Sequence, residues 1–140
     1  MQLVESISIA APPDRVWAVL MDVEGWPQWT QSMTRLERLQ PGDLAVGSRV
    51  RITQPKLPHV VWTVTALEPG RYFAWRGSSP GVRTDAGHRI ETEGNGSRVT
   101  LTIEQSGLLS PLVGLMYGRL TKRYVDMEAR GLKARCEAGV

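Results

Sequence analysis

The chain has 140 residues, enough for one domain that buries roughly 68–70% of its unfolded surface and has room for a core and a cavity. Its 41% apolar and 22% charged residues are those of a soluble globule, and a net charge of +3 from 17 basic and 14 acidic residues is too weak to imply nucleic acid. The lone Cys136 excludes an internal disulfide, and residues 3–7 show no basic-then-apolar leader, so a cytoplasmic location is expected.

Leu3, Glu5, Ile7 and Ile9 alternate with Val4, Ser6 and Ser8, a period-two strand whose Ile7 and Ile9 end faces inward. Pro12 and Pro13 end it, and proline suits the first turn of a helix, where its missing N–H is not needed. Val16, Val19 and Leu20, joined by Trp17, recur at helical spacing. Gly25 and Pro27 keep a second helical piece, around residues 23–26, short.

From Met33 the punctuation changes. Pro41-Gly42, Pro55 with Pro58, Pro69-Gly70, Gly77 to Gly81 and Gly94-Asn95-Gly96 separate runs of strand length at 33–40, 48–54, 59–67, 72–76, 87–93 and 97–105. Such close turn signals predict sequential antiparallel strands, seven with the first, and Asn95-Gly96 is the strongest hairpin signal. Ser110 then reads as an N-cap with Pro111 at the first helical position. Leu109, Val113, Met116, Tyr117, Leu120, Tyr124 and Met127 share one stripe of a long amphipathic helix. The oily stretch 108–116, broken by Ser110, Pro111 and Gly114, is too short to span a bilayer, so no transmembrane segment is expected. A sheet covered by one helix must curl, and a curled sheet leaves an interior volume for a ligand.

Several short patterns stand in one order along the chain. Ile7-Ser8-Ile9-Ala10-Ala11-Pro12-Pro13 is followed by Val16-Trp17 and by Asp22 through Trp29. Trp62-x-Val64 leads to Leu67-Glu68-Pro69-Gly70, then Phe73-Ala74-Trp75-Arg76-Gly77. Gly87-His88-Arg89-Ile90 precedes Asn95-Gly96-Ser97-Arg98-Val99-Thr100, and Gly131-Leu132-Lys133 with Glu137 closes the set. Together they resemble the polyketide cyclase/dehydrase-like branch of the START and Bet v 1-like (SRPBCC) superfamily. The resemblance implies an α+β helix-grip fold over residues 1–140 as a single domain. A seven-stranded curved antiparallel sheet would wrap a long C-terminal helix, with two short helices after the first strand and a cavity between sheet and helix.

Strand alternation sets Trp62 with Val64 and Ala66, Phe73 with Trp75, His88 with Ile90 and Thr92, and Val50 with Ile52 on inward faces. The expected ligand-lining set is Trp29, Met33, Trp62, Val64, Phe73, Trp75, His88, Ile90, Met116, Tyr117 and Leu120. The same residues would equally build a filled core. His88 is the sharpest polar candidate, able to hydrogen-bond a ligand carbonyl or act as a general base. A backbone carbonyl or Asp85 would instead satisfy it as a core histidine. Gly114 and Gly118 fall off the stripe and fit either a loosened gate or close packing against a neighbour.

Gly77-Ser78-Ser79-Pro80-Gly81 matches a hydrolase nucleophile elbow in letters only. That motif needs a strand-to-helix turn and an N–H after the nucleophile, and Pro80 has none. Metal-ligand spacing, phosphate loops and dinucleotide fingerprints are missing from the sequence, so no cofactor is expected. Arg119, Lys122, Arg123, Arg130, Lys133 and Arg135 are interrupted by Asp126, Glu128 and Glu137, which reads as a wet helix face. The expected partner is a small hydrophobic or aromatic ligand, with the chain a monomer or homodimer and no nucleic acid bound. Three functions follow: a carrier or sensor of such a molecule; a cyclase or dehydratase using His88, with Tyr117, to move a proton; and a protein-interaction domain with a filled core.

Overall fold

The computed structural model describes residues 1–138. Its elements run β1 (Gln2–Ile9), α1 (Pro13–Met21), a 3₁₀ helix (Val23–Gln28), β2 (Arg35–Arg38), β3 (Arg49–Thr53), β4 (Val60–Glu68), β5 (Tyr72–Ser79), β6 (Val82–Glu93), β7 (Gly96–Ser106) and α2 (Ser110–Glu137). The seven strands form one antiparallel sheet in the order β1-β7-β6-β5-β4-β3-β2. Only β1 is out of sequence order: it pairs with β7, and α1 with the 3₁₀ helix carries the chain from it to the far edge. Pro13 opens α1 as expected, and Val16 and Leu20 bury its inner face.

Three departures from the sequence reading have local causes. β5 and β6 are longer than predicted, because Gly77 to Gly81 does not break the sheet: Ser79 pairs with Val82 across a two-residue Pro80-Gly81 turn. Proline supplies the first turn position and Gly81, at φ +79°, the second. Next, an extra residue between Val64 and Ala66 bulges β4, so Val64 opposes Trp75 but Leu67 opposes Phe73. The bulge turns Leu67 into the core and puts Ala66 opposite Ala74 instead. Finally, α2 begins one residue early. Leu109 is its cap residue, without a side-chain cap bond, and Ser110 lies inside the helix.

The inward rungs of the sheet place the site. Leu67, Phe73, His88 and Leu101 stand across β4 to β7 on one rung. Val64, Trp75, Ala86 and Ile103 form the next, and Trp62, Gly77, Thr84 and Gln105 the one beyond. Trp26 is fully buried beneath them, its indole N–H donating to the Leu20 carbonyl at 3.0 Å. α2 crosses this face, and every buried residue it contributes lies between Tyr124 and Cys136.

Candidate functional site

A cavity of about 350 Å³ separates the sheet from α2. Its sheet wall carries Trp62, Trp75, Ala86, Leu101 and Ile103. Trp62 lies flat over Gly77, where a Cβ would meet its indole carbons at 2.9–3.0 Å, so the bare glycine is what lets the ring sit there. The loop between β3 and β4 adds Leu57 and Pro58, and Met33 stands before β2. The helix wall is Val113, Tyr117, Thr121, Tyr124, Val125 and Glu128. The Tyr124 hydroxyl donates to the Pro55 carbonyl, tying α2 to the β3–β4 loop.

His88 and Glu128 form the polar centre. The imidazole stacks on Phe73, with centroids 4.1 Å apart and planes 4° from parallel, and Trp26 and Trp75 meet it edge-on, each at 5.7 Å. Nδ1 lies 3.2 Å from the Phe73 carbonyl, which can only accept, so Nδ1 carries the hydrogen. Nε2 then faces the Glu128 carboxyl at 3.4 Å. A fully deprotonated pair would set two lone-pair atoms against each other. A proton between the two atoms would bridge them, and both side chains stand on the cavity wall. Asp85 does not reach His88 and pairs instead with Arg76 at 2.7 Å.

At the opposite end Thr84 and Gln105 line the wall. The Gln105 side-chain oxygen is buried and has no hydrogen-bond partner among the described residues, leaving an acceptor for a ligand hydroxyl or amine.

Met33, Trp62, Trp75, His88 and Tyr117 of the expected set stand on this wall. Val64, Phe73 and Ile90 lie behind it as closed core. Trp29 packs on Trp26 and faces a separate depression beside α1 and the end of α2. There the Arg15 guanidinium is spent on the Cys136 and Arg135 carbonyls. Met116 is 62% exposed and Leu120 is half-buried; neither reaches the cavity. The expected stripe runs through apolar residues alone, whereas the inner face of α2 includes Thr121 and Glu128. Glu128, expected on the wet face, is buried and lines the cavity. Its spacing from Tyr117, Thr121, Tyr124 and Leu132 is the signal that would have found it.

Among the described residues no cluster of histidine, cysteine and carboxylates could hold a metal ion, and no helix is long and apolar enough to cross a membrane. No curated protein matches the chain in sequence. Among solved structures, the Zhui aromatase/cyclase from Streptomyces sp. R1128 superposes with a TM-score of 0.80 at 21% identity, covering 100% of this chain and 99% of that one. A START superfamily protein from Mycobacterium smegmatis gives 0.80 at 15%, covering 97% of each chain. The major latex-like protein 151 from Panax ginseng gives 0.78 at 13%, again over 97% of each. At such identities the likeness is one of fold, a START and Bet v 1-like helix grip. The sequence profile described as "Polyketide cyclase / dehydrase and lipid transport" matches residues 1–137, nearly the full length, and the chain belongs to that family.

Proposed function

We propose that this chain binds a small hydrophobic or aromatic molecule in the cavity between its sheet and α2. The observation that carries this reading is the cavity itself: about 350 Å³, with two tryptophans and a run of aliphatic side chains on its walls and a few polar groups at its ends. That is the usual make-up of a small-molecule site. A filled core would leave no such volume. Native mass spectrometry of the purified protein, followed by a thermal-shift screen of fatty acids, flavonoids and polycyclic aromatics, tests it. A co-purified mass, or a melting shift that grows with ligand concentration, supports binding. No mass and no shift across the panel sinks it.

The His88–Glu128 pair favours a second reading, in which the bound molecule is also transformed. A base beside a ligand carbonyl takes a proton from the adjacent carbon, that carbon attacks a second carbonyl, and the resulting alkoxide takes the proton back as a hydroxyl; a second proton removed from the same carbon then leaves with that hydroxyl as water, and a C=C bond forms. Ring closure and dehydration need only such a proton carrier and a cavity that holds the chain folded. Glu128→Gln and His88→Ala would then abolish turnover of a poly-carbonyl substrate while binding persists. Retained turnover in both variants leaves the carrier reading alone.

A further inference from the structure

The first half of α2 is built unlike the second. None of its residues from Ser110 to Arg123 is buried, and its cap makes no side-chain bond. Leu115 is 84% exposed, Met116 62% and Leu112 52%, and Leu108 just ahead of the helix is 96% exposed. Arg119, Lys122 and Arg123 follow, all exposed and none in an ion pair among the described residues. At 3.6 residues per turn, Leu112, Leu115, Met116, Arg119, Lys122 and Arg123 fall within about 120° of the helix circumference. Between Glu104 and Asp126 the chain has no acidic residue.

We propose that this half-helix docks on an anionic lipid bilayer, with Leu112, Leu115 and Met116 entering the headgroup region and Arg119, Lys122 and Arg123 meeting anionic headgroups. An apolar strip with a cationic edge is complementary to such a surface and to few others. A second copy docked through the same stretch of helix would bring no carboxylate for these three cations, because that stretch contains none. The opposite side of the same turns carries Val113, Tyr117 and Thr121 of the cavity wall, so docking sets the cavity's outer cover against lipid. The inference holds whatever molecule the cavity takes.

Vesicle flotation with the full chain decides it. Vesicles of phosphatidylcholine with phosphatidylglycerol should carry the protein, vesicles of phosphatidylcholine alone should carry much less, and added salt should release it. Leu112→Glu with Leu115→Glu should abolish flotation, and Arg119→Ala, Lys122→Ala and Arg123→Ala should each weaken it about fivefold. Val4→Glu, at an exposed apolar residue on β1, should leave it unchanged. These side chains are exposed, and far-UV circular dichroism checks that each variant folds. The proposal is overturned by no flotation on anionic vesicles, by equal flotation on neutral ones, or by an equal loss in Val4→Glu. It is likewise overturned by a concentration-dependent dimer that Leu115→Glu dissolves, which would assign the face to a second copy.

Discussion

His88 is held from every side before any ligand arrives: Phe73 beneath, Trp26 and Trp75 at its edges, a carbonyl on Nδ1 and Glu128 on Nε2. Its two polar contacts are not equal for stability. Removing a charged partner is costly when it strands a buried charge, but imidazole has a neutral form to fall back on. Glu128→Leu should therefore change stability by no more than about 1 kcal/mol, the lost contact being offset by relief of a desolvated carboxylate. His88→Ala opens a void among three aromatic rings and should cost about 2–4 kcal/mol. Urea midpoints of the two variants test the ordering, and a larger loss in Glu128→Leu would show the pair to be a stabilising bridge. Cys136 is a second residue whose surroundings decide its chemistry. It is 1% exposed, and burial pushes its thiol up to about 11, so little thiolate exists at neutral pH. Labelling by a disulfide reagent should proceed only at the rate of unfolding, and prompt labelling of the native protein would contradict this burial.

Two kinds of glycine interrupt α2, and the space around each decides the sign of replacing it. Alanine is favoured over glycine in a helix interior by about 1 kcal/mol. At Gly131 a Cβ would lie 2.0 Å from the Trp29 carbonyl oxygen, where α2 crosses the backbone after the 3₁₀ helix. Backbone there cannot give way cheaply, so overpacking of about 1–3 kcal/mol wins and Gly131→Ala destabilises. At Gly114 the nearest atoms, on Met1, are 3.6 Å away or more, an ordinary contact, so Gly114→Ala should raise the melting temperature. If a loose first half of α2 admits the ligand, the same variant should also slow ligand exchange, measured by stopped-flow release. This helix also marks the limit of what sequence periodicity reveals. The succession of strands, short helices and one long helix along the chain is legible because period and turn chemistry agree along most of it; the pairing of β1 with β7 is not, since no local pattern encodes it. Nor is the phase of α2. Leu112, Leu115 and Met116 are apolar yet face outward, while Thr121 and Glu128 are polar yet face a cavity, so hydrophobicity alone pointed the stripe to one side of its true direction.

Across the whole molecule, the closure between α2 and the β1 end rests on carboxylates, and this gives stability a defined acid profile. Glu137 accepts the Ala10 backbone N–H at 2.8 Å and lies 2.6 Å from the Lys133 ammonium, which itself donates to the Ser8 carbonyl. The backbone bond first, and then Lys133, hold the Glu137 carboxyl below its ordinary range. Glu93 is lowered too, first by the Ser8 hydroxyl and then by Arg98. A carboxylate lowered by folding contributes stability above its unfolded value and loses it as pH falls through the folded one. Glu5 has the opposite sign. Burial first, then neighbouring Asp126, raise its carboxyl, so its ionised form costs stability at neutral pH and that cost is relieved on acidification. The two effects come in order. As pH drops, Glu5 takes up its proton first, above the ordinary carboxylate range, and Glu137 and Glu93 take theirs last, below it. Urea midpoints should therefore rise slightly in mild acid before falling in stronger acid. Glu5→Gln should remove the rise and leave the fall. Glu137→Gln, whose amide oxygen can still accept from Ala10, should keep the rise and make the fall smaller, with Glu93 left to carry the rest. A profile unchanged by both substitutions would mean that other groups govern acid unfolding and that this seam does not.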